Sequence, residues 1–416
     1  MSGEPDPRRE VREGLRYCLM VFLGVRVALA VIALVGVALL PDFSHVPEEV
    51  RRQLPIVPTP VSVPGWPAAS LTHGWHNLFT AWERLDALWF LKIAAHGYSA
   101  NDASAAFFPL YPMLVRGLSF LIGGHPFAAA LLISNGSFSA ALMVLYLLTR
   151  RELSEELARR AVLYAAVFPT SFFFLAPYSE SLFLLLVLLS FSGARRGRWG
   201  VAGVSGALAA LTRNIGGLMV LPLAIEAIHQ AVERRRAGPE GERRPLRLQA
   251  GPLFWSLAPA LGTLLYLWSW WTFSGDWLAP LHAQANWQRH LGNPLVTLGK
   301  GTQEAFRWIG LYAGGYHLLD WIITVAVLAA GVTAAIKFRP AYGAFVWATI
   351  LIPLSSIFPP RPLIAFSRYA LPIFPIYWAM ARWTAGSRAR HEILVAASAA
   401  LLGLMTLLFV NWYYVI

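Results

Sequence analysis

The chain has 416 residues, of which 57% are hydrophobic and only 13% charged. Soluble globular domains carry about 25% charged residues, so this composition excludes one and predicts an all-α polytopic membrane protein. The formal charge of +12 is read as positive-inside topology and contact with anionic membrane lipids, with no nucleic acid as partner.

Met1 to Arg16 is polar and basic. The apolar run after it is longer than a signal-peptide core and lacks a small-residue cleavage site, so a retained first span is expected. Cys18, the single cysteine, cannot form an internal disulfide. A spanning helix needs roughly 20 apolar residues. Spans are predicted near 17–41, 124–149, 161–177, 179–194, 199–213, 215–231, 251–274, 316–337, 341–358, 369–384 and 391–410, about eleven in all. Most of the 34 basic residues then fall on one side. They cluster at Arg8–Arg16, Arg150–Arg160, Arg195–Arg198, Arg234–Arg247, Lys337/Arg339 and Arg382–Arg390. That side is expected to be cytoplasmic, with the N-terminus inside and the C-terminus outside. Two external loops remain, about 42–123 and 275–315, and the whole of 1–416 reads as one transmembrane domain with no separate soluble part.

The first external loop starts Pro/Val-rich (Pro55, Pro58, Pro60, Pro64, Pro67) and reads as irregular. Residues 81–96 are predicted helical, since Trp82, Leu85, Trp89 and Ile93 recur at i, i+3, i+4 spacing. Such a helix would lie in the interface with its tryptophans at headgroup level. A second interfacial piece is expected over 107–121. The stretch Trp82 to Tyr98 holds two acids, two bases, a histidine and four aromatics among hydrocarbon. Ionisable groups beside a bilayer are expensive and mark function.

Asp86 is the candidate base, and on a helix Glu83 would share its face. Solvation, or pairing with Arg84 or Lys92, accounts for both equally. Positive-inside bias disfavours cations on the outer side, so Arg84, Lys92, Arg213, Arg289, Lys300, Arg307, Arg361 and Arg368 stand out. Arginine forks suit phosphate oxygens, whereas snorkelling to lipid phosphates is the plainer account of any one of them. In Tyr178-Ser179-Glu180-Ser181, Ser179 could cap the next helix and Glu180 would favour its positive end. Asn135 in the second span suits an interhelical hydrogen bond. There is no P-loop, no dinucleotide glycine motif, no H-E-x-x-H and no outer D-x-D pair. The missing D-x-D pair favours a sugar donor with a single phosphate.

The run Leu85-Asp86-Ala87, Ile93-Ala94-Ala95-His96-Gly97-Tyr98 and Ala106-Phe107-Phe108-Pro109 resembles the signature of the PIG-V family, GPI mannosyltransferase 2 and its bacterial relatives. The similarity continues through Tyr178 to Phe183, Arg213-Asn214-Ile215-Gly216, and Arg368 with Pro372 to Trp378. Leu85 departs from the tryptophan usual before the acid. The resemblance implies a GT-C class membrane glycosyltransferase, mannosyltransferase-like. It would move a sugar from a polyprenyl- or dolichyl-phosphate donor by inverting displacement on the external face of the cell membrane, or of the ER membrane in a eukaryote. The acceptor would be a glycolipid, glycan or protein. Lysine occurs only at 92, 300 and 337 while arginine is abundant, a bias suggesting a bacterial genome and hence an acceptor other than a GPI anchor. In this reading Asp86 is catalytic, and Arg368, Arg213 and Lys92 meet the donor phosphate. Glu83, His96, Tyr98, Tyr178, Glu180 and Asn214 bind substrate or support the site. No cofactor and no metal are expected. A lipid or solute transporter or flippase would also explain the spans, but it predicts inverted repeats that the chain lacks. A non-catalytic scaffold for other glycosyltransferases is the other alternative.

Overall fold

The computed structural model describes residues 7–39, 76–236, 249–287, 289–309, 314–411 and 413. The Pro/Val-rich stretch 55–67, Arg51, Arg52 and the Arg243/Arg244/Arg247 group lie outside them. In hydrocarbon every backbone N–H and C=O must find its partner within the protein, so long apolar runs fold as helices. The principal helices are α1 (Pro7–Leu39), α2 (Asp86–His96), α3 (Leu110–Leu121), α4 (Pro126–Glu152), α5 (Glu155–Val167), α6 (Glu180–Arg195), α7 (Trp199–Ala210), α8 (Val220–Arg236), α9 (Ala258–Ser274), α10 (Pro294–Arg307), α11 (Gly314–Lys337), α12 (Pro340–Leu354), α13 (Phe366–Ala370), α14 (Pro375–Thr384) and α15 (Arg388–Val410). One two-stranded antiparallel ladder joins β1 (His290–Leu291) to β2 (Ser356–Ile357).

Helix occurs at each of the eleven expected spans, but six stretches among the described residues are long and apolar enough to cross a membrane on their own. The expected spans at 161–177, 179–194, 199–213, 341–358 and 369–384 are shorter than predicted. Their helices α5, α6, α7, α12 and α14 have 13, 16, 12, 15 and 10 residues. At 1.5 Å per residue that is roughly 15–24 Å, against about 30 Å of hydrocarbon. The remainder of each crossing is 3-10 turn or irregular backbone: Ser171–Phe174, Asn214–Met219, and the segments around α13. All of these breaks lie at the same end of the bundle. Non-helical backbone at such depth survives only where it is buried in protein or lines a cavity; Ser171–Phe174 is buried, and the turns at Arg213–Asn214 and Ala365–Tyr369 line a cleft.

The opposite end is held by charge. Arg195 at the end of α6 pairs with Glu152 of α4 at 2.8 Å and Glu226 of α8 at 2.9 Å. Arg339 before α12 pairs with Glu226 at 3.3 Å and Glu233 at 2.7 Å. Tyr164 of α5 reaches Thr384 and His391, each at 2.7 Å. The predicted basic clusters that fall on described residues gather here. At the cleft end, Arg84 donates to the Val410 carbonyl at the end of α15, 2.9 Å away. The start of α1, where Glu10 pairs with Arg150, and the end of α15 thus lie at opposite ends of the bundle.

The predicted helix over 81–96 is shorter, starting only at Asp86. Its stripe of apolar residues faces the bundle and not the headgroups: Trp82 and Trp89 are 0% and 1% exposed. Trp82 packs on Phe409 and under the Arg26 guanidinium, and Trp89 stacks on Phe107. α3 does present apolar side chains outward, with Met113, Leu114, Phe120 and Leu121 exposed. In place of the expected bond between helices, Asn135 donates to the Leu175 carbonyl, at 3.0 Å, in the irregular backbone just after the Ser171–Phe174 turn.

Candidate active site

Four breaks in the bundle bring together residues far apart in sequence. Asp86 is the first residue of α2, Glu180 the first of α6, Arg213 precedes the turn after α7, and Arg368 lies in α13. Asp86, Arg213 and Arg368 border a cleft that opens to solvent, and Glu180 lies buried behind it. Asp86, Arg213, Asn214, Arg368 and Tyr369 line it, with Phe107 and Phe108 as an apolar wall and Gln284 and Arg289 contributed by the second external segment.

The charges form one chain. Arg368 donates through Nη1 to Asp86 and through Nε to Glu180. Arg213 donates through Nη1 to the same Glu180 oxygen and, at 3.4 Å, to the Ser179 hydroxyl. Glu180 is completely buried, and Arg213 and Arg368 are 7% and 6% exposed. A buried carboxylate is tolerable because two guanidinium groups surround it, and removing it would leave Arg213 without its carboxylate partner while Arg368 kept Asp86. Ser179 does not cap α6 with its side chain, as the sequence suggested; its hydroxyl is turned to Arg213. Tyr178 lies behind the cleft, its ring 4.8 Å beneath the Arg368 guanidinium and its hydroxyl donating to the Arg84 carbonyl at 2.9 Å. The Arg213 guanidinium lies over the Tyr369 ring at 5.4 Å. Gly216 allows this turn, since a Cβ there would overlap the Ala209 carbonyl.

Backbone strain marks the same place. Among the described residues, Leu85 (φ 56°) and Ala365 (φ 66°) are the non-glycine positions with positive φ. The first immediately precedes Asp86 and the second lines the cleft three residues before Arg368. Such conformations cost about 1–3 kcal/mol each and persist where the surroundings over-determine them, often at functional sites.

Other expected members of the site are elsewhere. Lys92 points away from the cleft and pairs with Asp102. It borders a second cavity with Glu83, His96 and His125. Glu83 precedes α2 in a turn, so it shares no helical face with Asp86. Burial raises the Asp102 carboxyl, but the hydrogen bonds from Lys92 and Ser104 outweigh it and hold the group below the usual carboxylate range. Tyr98 is behind the Phe107 wall, donating to the Phe107 carbonyl at 2.8 Å. Burial, with Tyr266 alongside, pushes its phenol well above the usual range. Arg361 closes on Asp320 through two hydrogen bonds, and Arg84 is spent on backbone carbonyls. Gln284 and Arg289 were not singled out as site residues from the sequence. Arg289 was one outer cation among several, and only its arrival at the cleft distinguishes it.

Residues 56–232 match the profile of the mannosyltransferase (PIG-V) family. The match includes Asp86, Glu180 and Arg213 but stops short of Arg289 and Arg368. The chain matches no curated protein significantly. Among solved structures it is similar to ArnT from Cupriavidus metallidurans bound to undecaprenyl phosphate, at 16% identity and a TM-score of 0.44, covering 80% of this chain and 72% of that one. It is also similar to the Archaeoglobus fulgidus oligosaccharyltransferase in complex with Zn and sulfate, at 13% identity and a TM-score of 0.42, covering 92% of this chain and 53% of that one. The chain therefore spans about half the length of the oligosaccharyltransferase.

Proposed function

From the premise that residues 56–232 carry a mannosyltransferase (PIG-V) domain and that the chain is a membrane glycosyltransferase, we propose that it moves mannose from a polyprenyl-phosphate carrier to an acceptor hydroxyl. The observation that carries this is the Asp86–Arg368–Glu180–Arg213 chain opening on one cleft. Asp86 is the acid at the rim whose proton-accepting role the reaction needs. Arg368 fixes its orientation, and Glu180 in turn fixes Arg368 and Arg213. The acceptor oxygen attacks the anomeric carbon from the face opposite the phosphate while Asp86 takes its proton. The configuration inverts, and the leaving lipid phosphate is met by preorganised guanidinium groups.

Arginine carries the leaving-group charge in this reading, so transfer proceeds without a metal. Asp102, Glu83 and Asp86, the nearest acids in sequence, do not converge: Asp102 holds Lys92 and Glu83 borders the second cavity. The cleft is assigned to the external face because the arginine-rich end of the bundle is opposite it. A cysteine at Asn286 should accordingly react with an impermeant thiol reagent in intact cells, and labelling only after lysis overturns the orientation.

The direct test incubates purified protein with polyprenyl-phosphate mannose and a membrane glycolipid extract, with and without EDTA, and identifies products by mass. A new hexose on the acceptor, formed equally in EDTA, is expected. A product made only from a nucleotide sugar, or only with added manganese or magnesium, overturns the donor class or the metal-free reading respectively.

A further inference from the structure

The charges around the cleft can be counted. Asp86 and Glu180 contribute two negative charges; Arg213, Arg368 and Arg289 contribute three positive ones. Arg213 and Arg368 are each committed to a carboxylate. Arg289 lines the same cleft and makes no ion pair with any described carboxylate. It directly precedes the ladder in which His290 faces Ile357 and Leu291 faces Ser356, and β2 leads on to Ala365 and Arg368. The other end of its segment is seated as well, with Ala283 packed in the cluster of Ala105, Phe108, Tyr266 and Trp270. Arg289 is therefore anchored on both sides and leaves the cleft one positive charge in excess.

Resting on the function proposed above, we infer that Arg289 is the contact for the donor's phosphate, and that Arg368 joins it only when Asp86 has taken up the acceptor's proton. The balance runs through the whole step. A sugar–phosphate–lipid diester carries one negative charge, which the surplus from Arg289 neutralises. In transfer the acceptor oxygen bonds to the anomeric carbon and its proton passes to an Asp86 carboxylate oxygen. The bond from the anomeric carbon to the phosphate oxygen breaks, and its electron pair stays on the phosphate. The released lipid phosphate then carries about two charges at neutral pH. Asp86 has become neutral, so Arg368 has lost one of its two anionic partners at the moment the new charge appears. The cleft now has two positive charges in excess, and the product brings two negative ones. A charge in a low-dielectric site is costly unless balanced, and here the balance holds before and after the reaction. A diphosphate donor would exceed it by at least one charge, which accounts for the monophosphate class.

The test uses the full chain in lipid nanodiscs and titrates undecaprenyl phosphate against intrinsic tryptophan fluorescence, with melting followed in parallel. Loss of a charge-assisted hydrogen bond is expected to weaken binding by about 10- to 100-fold in Arg289→Gln. Arg289→Lys should recover most of it, and Arg307→Gln, farther along the same external segment, should bind as the wild type does. Asp86→Asn reproduces the neutral state of the acid and should bind the lipid phosphate more tightly, by about tenfold for one freed guanidinium, although it cannot transfer. Absence of binding by the wild type would defeat the proposed function itself. Binding by the wild type with equal binding by a folded Arg289→Gln overturns the role of Arg289. If Arg289→Gln does not fold, the folded Arg289→Met decides, and binding equal to that of the wild type overturns the role equally. Unchanged or weaker binding by Asp86→Asn overturns the handover of Arg368.

Discussion

The bundle carries two arginine–carboxylate networks of nearly the same composition at its two ends. At the basic end Arg195 and Arg339 converge on Glu226, which is completely buried. At the other end Arg213 and Arg368 converge on Glu180, equally buried. The first ties together helix ends that are regular up to their last turn, and its remaining carboxylates, Glu152 and Glu233, saturate its arginines. The second occurs where helices break and backbone is strained, and it ends on Asp86 at the edge of a cleft. A buried ion-pair network is thus no sign of catalysis in itself. What separates the two is an open side, a carboxylate facing it and an additional cation, Arg289, with no acid of its own among the described residues.

Substitutions at matched positions sharpen or break that contrast. The largest effect is expected from Arg368→Ala, which removes the partner of both Asp86 and Glu180. Transfer should fall by about 100- to 1,000-fold, the range for losing one preorganised electrostatic donor, while Arg361→Ala, whose arginine is closed on Asp320, stays within a few-fold in steady-state assays. Next come Glu180→Gln and Glu226→Gln. Glu180→Gln leaves the buried Arg213 guanidinium without its carboxylate and should destabilise by about 3–5 kcal/mol, seen as a lowered melting temperature, whereas Glu226→Gln should cost less, because Arg195 and Arg339 are partly exposed and keep Glu152 and Glu233. Turnover per folded molecule should drop about tenfold or more only in Glu180→Gln, through loosened positioning of the arginines. Equal loss of turnover in Glu226→Gln would erase the distinction between the two networks. The smallest effect is expected at Ala365. Glycine removes the left-handed penalty of about 1–2 kcal/mol, so Ala365→Gly should melt slightly higher yet transfer a few-fold more slowly, because Arg368 is less tightly aimed.

The sequence revealed the all-helical membrane class, the side on which the arginines gather and the charged part of the cleft, since Asp86, Arg213, Asn214 and Arg368, with Tyr178 and Glu180 buried behind them, stand out as polar residues beside apolar runs. Hydropathy could not show that five spans stop short. Apolar residues lining buried irregular backbone read the same as those in a helix, and the cost of breaking a helix is offset by neighbours distant in sequence. The spacing of Trp82, Leu85, Trp89 and Ile93 signalled one apolar face but not what covers it, and α4 and α15 cover it in place of headgroups. It also extended the helix through Leu85, whose positive φ places Glu83 and Asp86 on separate cavities. Lys92 was a plausible phosphate ligand until Asp102, ten residues on, claimed it. Arg289 had no motif around it, and only the β1–β2 ladder brings it to the site.

The central claim is that Asp86, held by Arg368, accepts the acceptor's proton. The measurement that bears on it most directly compares the rate of mannose transfer from polyprenyl-phosphate mannose by wild type and Asp86→Asn, at equal amounts of protein with matched melting temperatures. A loss of at least about 100-fold is predicted, as for a positioned acid–base group, whereas near-normal turnover in Asp86→Asn would contradict the mechanism.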